Sequence, residues 1–199
     1  MIIDPDGRDT IFVDKKTGKT NIYNRVGNDV LVCGKRTVTL SRKGIYEDAV
    51  SKGKAQGHED VTLLVGMSSS DARKTFKFMA DNTGVEWGYM ESVNNNGQTE
   101  FLVGSAHNPD TESLIYVKAM CAPEGSVLRY DHSHIYPIHG SSWQKATAGM
   151  PSTSSTSANS KKYSDIEAWN DLVRKNPSIS IGIRYNKQTI IHVKKGIWQ

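Results

Sequence analysis

Short apolar runs of strand type, separated by polar turns, recur through the first third of the chain. Thr10-Ile11-Phe12-Val13 and Thr20-Asn21-Ile22-Tyr23 flank a polar turn, Asp14–Lys19. Asp29-Val30-Leu31-Val32-Cys33 and Thr37-Val38-Thr39-Leu40 flank Gly34-Lys35-Arg36 in the same manner. Short β-branched runs bounded by Gly and polar residues predict hairpins, so residues 1–66 are expected to form a small β-rich meander. The pattern then changes. Ala72, Phe76, Met79 and Ala80 recur at helical spacing and predict a helix over 70–81, with Ser70 as its cap. Strands are expected at Val85–Met90 and Thr99–Gly104, joined by the turn Asn94-Asn95-Asn96-Gly97. Two more are expected at Ser113–Val117 and from Ser126 onward.

Residues 138–162 follow neither pattern, and Pro151–Ser160 is a polar Ser/Thr tract, so a long loop is predicted there. Order resumes at Ser164-Asp165-Ile166-Glu167, where Ser164 and Glu167 fit a capping box. Ile166, Trp169, Leu172 and Val173 share one face of the helix that follows, and Asn176-Pro177 stops it. A closing hairpin is expected from Ile179–Ile183 and Thr189–Val193 around Asn186-Lys187-Gln188. The pattern as a whole predicts a mixed α/β (α+β) domain over 67–199, a mixed β-sheet flanked by helices, with 1–66 as a β-rich leader.

Composition narrows the function. A 199-residue chain with 37% hydrophobic residues can fill one core. Its mean hydropathy is -0.51, and no apolar run approaches the roughly 18 residues of a membrane helix. Met1–Arg8 lacks the basic and apolar regions of a secretory signal. A soluble protein with no membrane partner is expected. The formal charge of +4 comes from Lys and Arg scattered along the chain, which predicts a solvated surface rather than a nucleic-acid stripe. Cys33 and Cys121 form no CxxC; Cys33, in an apolar run, is expected to be a buried free thiol.

Candidate chemistry centres on Tyr130-Asp131-His132-Ser133-His134. On a strand, His132 and His134 point to one face, and two adjacent imidazoles make half of a metal site. Zinc needs a third protein ligand and, for catalysis, an open position for water. Taken singly, each candidate has an ordinary explanation. His-x-His is more often structural than ligating, Glu86 suits a half-exposed strand, and Asp165 is an acid favoured at a helix start. His58, His107, His139 and His192 are scattered and expected to be surface or core residues. His139 alone is close enough in sequence to His134 to be an alternative third ligand, and Glu91 is an alternative base. Trp87 and Trp169 are expected to anchor the core.

In order, Glu86, His132-x-His134 and Asp165 resemble the signature of the JAB/MPN (JAMM) metallopeptidases, in particular the JAB-like toxin domains at the C-termini of RHS-repeat polymorphic toxins. The resemblance covers roughly residues 70–195. It implies a cytidine-deaminase-like sheet and Zn2+ held by His132, His134 and Asp165. Glu86 would be the general base in hydrolysis of a peptide or isopeptide bond. The proline that follows the second histidine in that family is displaced here to Pro137, and Lys145 stands where Ser142 would need its aspartate. Pro151-Ser152 resembles the Pro-Ser ahead of the family's aspartate, which makes Ser152 the expected oxyanion-stabilising residue ahead of Ser142 and Ser164.

Asp4-Pro5-Asp6-Gly7 is similar to the motif that closes the RHS core, so the chain is expected to be the C-terminal effector of such a protein. The resemblance implies delivery into a target cell by the parent RHS shell, a cognate immunity protein as partner, and a protein substrate, with ubiquitin-like targets among the candidates. A rival resemblance is to HNH nucleases, centred on Asp131-His132 and Pro137. The helix after the loop carries Asn170 and Asn176 but no His, so nucleic acid is the less favoured substrate.

Overall fold

The computed structural model of the chain describes residues 10–23, 27–56, 61–108, 114–134 and 165–199. The first sheet holds β1 (Thr10–Val13), β2 (Thr20–Tyr23), β3 (Val30–Cys33) and β4 (Arg36–Thr39), in the order β2-β1-β3-β4. Each predicted hairpin forms as an antiparallel pair, and β1 runs parallel to β3, so the sheet is not a simple meander. Buried Cys33 is a free thiol, as expected of its apolar run, and exposed Cys121 is free too.

The second sheet has seven strands, ordered β11-β10-β9-β8-β6-β7-β5. They are β5 (Thr62–Val65), β6 (Gly88–Val93), β7 (Thr99–Ser105), β8 (Val127–Ser133), β9 (Ser180–Tyr185), β10 (Gln188–Lys194) and β11 (Ile197–Trp198). All pairs are antiparallel except β8 with β9. Asn186 and Lys187 turn the chain between β9 and β10 with φ of 45° and 64°, as a two-residue primed turn requires.

Helix α2 (Ser69–Asn82) covers one face of this sheet, together with the first sheet and α1 (Ile45–Lys54). That core gathers Ile11, Leu31, Tyr46, Phe76, Trp87 and Tyr89. Helices α3 (Leu114–Cys121) and α4 (Asp165–Lys175) cover the other face, over Met90, Leu102, Tyr130, Ile181 and Ile183. The fold is therefore the expected α+β class, a mixed sheet with helices on both faces.

Four local expectations are corrected. Residues 45–54 are helical, not part of a β leader. The buried Asp29 carboxylate, just ahead of β3, accepts from the Gly44 and Tyr46 amides at 2.6 and 2.7 Å, doing from a distance in sequence what a local cap would do. Gly53 lets this helix press onto β5, since a Cβ there would lie 1.8 Å from the Leu63 carbonyl oxygen. Residues 114–121 are a helix where β-branched residues predicted a strand. Ile115 and Ala119, one turn apart, are fully buried against the sheet, and burial outweighs the weak strand propensity. The cap of α2 is Ser68, whose hydroxyl accepts from the Asp71 amide, not Ser70. Finally, β6 starts at Gly88, so Glu86 precedes the strand that was expected to contain it. The boundary expected at 66/67 falls just after β5, a strand of the second sheet.

Candidate metal centre

The centre is assembled at the C-terminal end of β8. His132 pairs with Gly88 of β6 on one side and Ile183 of β9 on the other. Its neighbour His134 extends the strand by donating its amide to the Arg184 carbonyl at 3.0 Å. Alternation puts both imidazoles on the face covered by α3 and α4, and their Nε2 atoms lie 2.9 Å apart. His132 is 3% exposed. Tyr130 and Trp169 each pack a ring 5.8 Å from its centroid. Its Nδ1 is buried without a hydrogen-bond partner among the described residues. Metal-ligating histidines usually have an outer partner on that nitrogen; among the described residues, the packed rings of Tyr130 and Trp169 orient this imidazole.

Asp165 arrives from α4, whose position is set by two side chains one turn apart. Trp169 and Leu172 are completely buried in the second core. At the far end Asn176 halts the helix and ties it to β8: its side-chain oxygen accepts from the Val127 amide at 3.0 Å, and its amide donates to the Leu172 carbonyl. Anchored so, the first residue of the helix sets its carboxylate 3.6 Å from His132 Nε2 and 3.4 Å from His134 Nε2.

These separations can be tested against a cation. A tetrahedral zinc with bonds near 2.0 Å has ligand atoms about 3.3 Å apart; the two Nε2 atoms lie 2.9 Å apart, one Asp165 oxygen lies 3.6 Å from His132 and the other 3.4 Å from His134, and one donor atom from each residue falls within 4.8 Å of the others. His132, His134 and Asp165 are the group among the described residues whose donor atoms converge as a metal site requires. Burial pushes the His132 imidazole down to about 4, and nearby His134 and His192 push the same way against the Asp165 carboxylate. At neutral pH His132 is uncharged, the state that ligation needs. The residues present fit a zinc ion.

Glu86 lies on the adjoining chain. Ser133 donates its amide to the Trp87 carbonyl at 2.8 Å, which carries the β6–β8 register past the last strand pair. Val85 and Trp87, on either side of Glu86, are buried in the core of the opposite face, so alternation turns Glu86 toward the face of the two imidazoles. Its backbone is held on both sides. The amide donates to the Asn108 carbonyl at 2.9 Å, and the carbonyl accepts from the buried Ser105 hydroxyl at 2.7 Å. The next amide, of Trp87, donates to the buried Ser133 hydroxyl at 2.9 Å. Ser152, the expected oxyanion residue, lies outside the described residues, as do Ser142, Ser164, Pro137 and His139.

Asp131, part of the nuclease-like reading, points to the opposite face, where it accepts from Arg129 at 2.7 Å. Glu91, the alternative base, is on that face too, bonded to Arg73. Of the scattered histidines, His192 is brought near the centre. A bulge sets both His192 and Val193 opposite Ile181, and the His192 ring packs at a tilt against Trp169, with centroids 5.5 Å apart. Nothing in the local pattern marks a bulge at that position. Ser105 and Asn108, likewise unmarked, matter only through a backbone far from them in sequence.

Fold and site together define an α+β domain with a His-x-His pair and a helix-borne aspartate converging at one strand end. The family model described as JAB-like toxin 1 matches residues 65–169, just over half of the chain, and the chain belongs to that family. No curated protein and no solved structure matches it. The matched stretch contains Glu86, His132, His134 and Asp165, and leaves the first sheet and α1 outside. Among the described residues, no helix is long and apolar enough to cross a membrane.

Proposed function

We propose that this toxin domain is a zinc-dependent hydrolase of amide bonds, peptide or isopeptide, in proteins. The observation that carries the reading is the convergence of two imidazole Nε2 atoms and one carboxylate to within 2.9–3.6 Å of one another. His132, His134 and Asp165 would hold the ion. Zinc bound there supplies a Lewis acid that acidifies water and polarises a carbonyl. Glu86 takes the proton of the attacking water and delivers it to the leaving amine. Its half-buried side chain keeps contact with solvent while its clamped backbone limits its travel. Ser152 is assigned to the oxyanion.

The resemblance of Asp4–Gly7 to the RHS core motif supports the remainder of the reading. The domain is carried into a target cell by a parent RHS shell, and a cognate immunity protein blocks the site in the producer. A ubiquitin-like protein is one candidate substrate.

The test combines metal content with cleavage. Zinc-loaded protein is incubated with polyubiquitin and with casein, with and without chelator, beside plasmid DNA, and growth of bacteria expressing each variant is followed. His132→Ala and His134→Ala are expected to lose zinc, cleavage and growth inhibition together; Glu86→Gln is expected to keep zinc and lose the other two. Full activity of Glu86→Gln removes the base, zinc retained by the double histidine variant removes the site, and chelator-sensitive DNA cleavage favours the nuclease.

A further inference from the structure

The first sheet lies outside the family match, yet the turn between β1 and β2 touches the segment that carries Glu86. The Lys15 carbonyl accepts from the Gly84 amide at 2.7 Å. Gly18, at φ +68°, lies so close that a Cβ there would sit 2.7 Å from Val85 Cγ2 and 3.1 Å from the Trp87 ring. The turn is itself stiff: Asp14 accepts from the Lys16 and Thr17 amides and the Thr17 hydroxyl. Its position therefore constrains residues 84–87 directly.

A second route runs through His107. Its Nδ1 lies 2.8 Å from the Thr17 carbonyl oxygen, and its Nε2 lies 3.0 Å from the Thr62 hydroxyl on β5. The ring stands edge-on to Trp87 at 6.2 Å. The His107 amide donates to Ser105 Oγ at 2.9 Å, the hydroxyl that in turn donates to the Glu86 carbonyl. His107 takes this place at φ 56°, a conformation uncommon for a residue other than Gly and retained where neighbours over-determine it. Two contact paths thus start on one surface turn: one ends on the Gly84 amide and the side chains of Val85 and Trp87, the other on the Glu86 carbonyl.

We infer that the Asp14–Lys19 turn and His107 are positioning elements for Glu86, so that the N-terminal sheet is a working part of the hydrolase rather than a leader. The inference rests on the assignment of Glu86 as base. It makes the geometry of the base depend on residues distant from the three candidate ligands, none of which the turn contacts through these paths. Loosening the turn leaves the ion held and the base misplaced.

Hydrogen exchange on the full chain tests this with Gly18→Ala, whose added methyl pushes the turn off Val85 and Trp87, and with His107→Ala, which cuts the second path. Amides of residues 84–87 are expected to exchange about tenfold faster or more in either variant, while zinc content and protection of β8 stay as in the parent. Growth inhibition is expected to fall to the level of Glu86→Gln, and Gly18→Ala added to Glu86→Gln to lower it no further. Unchanged exchange at 84–87, or faster exchange with full inhibition, overturns the inference. If Glu86→Gln alone inhibits growth fully, the base assignment fails, and exchange still decides whether the turn holds the segment. Should Gly18→Ala unfold the chain, protection is lost across β8 as well, and His107→Ala decides.

Discussion

The two faces of the second sheet handle buried charge in opposite ways. Toward α2, carboxylates meet guanidinium groups: Asp81 with Arg184 through two contacts at 2.7 and 2.9 Å, Glu91 with Arg73 at 2.7 Å, Asp131 with Arg129 at 2.7 Å. Toward α3 and α4, the Asp165 carboxylate meets two imidazoles, at least one of them uncharged at neutral pH. Adjacent residues of one strand, Asp131 and His132, belong to different systems because their side chains alternate. The first face pairs each of these carboxylates with a guanidinium of its own, leaving Asp131 Oδ1 buried without a hydrogen-bond partner among the described residues. The second gathers lone pairs toward one point, which is the arrangement a cation completes. Polarity and burial alone do not separate a structural cluster from a functional one; the sign of the groups that converge does.

That contrast can be broken from either side. The largest effect is expected at the paired face: Arg184→Ala leaves Asp81 half-buried and unmatched, and should cost about 3 kcal/mol of stability while leaving zinc content unchanged. Urea denaturation with elemental analysis checks it, and loss of zinc would show that the two faces are not independent.

An effect of the same order is expected from pH. The ordinary histidine value is 6.5, and burial takes His132 to about 4. Between these values the unfolded chain binds the extra proton and the folded one resists it. Zinc-free protein should therefore hold the His132 contribution in full above pH 6.5 and lose it as pH falls toward 4, by roughly 3 kcal/mol at most. Subtracting the profile of His132→Asn isolates this contribution; identical profiles would mean that His132 is not buried uncharged.

The smallest effect serves as the control. Arg42 and Asp48 form an ion pair at 3.0 Å with both side chains more than half exposed. Solvent screens such a pair, so Arg42→Ala should not shift the urea midpoint measurably.

Much of the fold is legible along the chain where local chemistry decides it. The four short strands of the first sheet, the Asn94–Gly97 turn, the helix from Asp165 and the last hairpin each depend on alternation, turn residues or a stop within a few positions. What was not legible depends on distant partners. Leu114–Cys121 carries β-branched residues and still becomes a helix because Ile115 and Ala119 find the sheet. The cap of α1 comes from Asp29, just ahead of β3. Glu86 could be singled out by its order relative to His-x-His, but the clamps of its segment, Ser105 and Asn108 at or just past the end of β7 and Ser133 on β8, lie in two other parts of the chain, and no spacing rule links them.

The amino-acid sequence alone determined that His132 and His134 share a face and that Asp165 opens a helix, because period two in a strand and helix-start chemistry are short-range properties. The tertiary structure decided that the helix start meets the strand end within 3.6 Å, that Asp131 serves the opposite face, and that a turn from the first sheet braces the Glu86 segment. Those outcomes are set by which surfaces bury one another across tens of residues, and burial of that kind is a property of the whole packed chain rather than of any stretch within it.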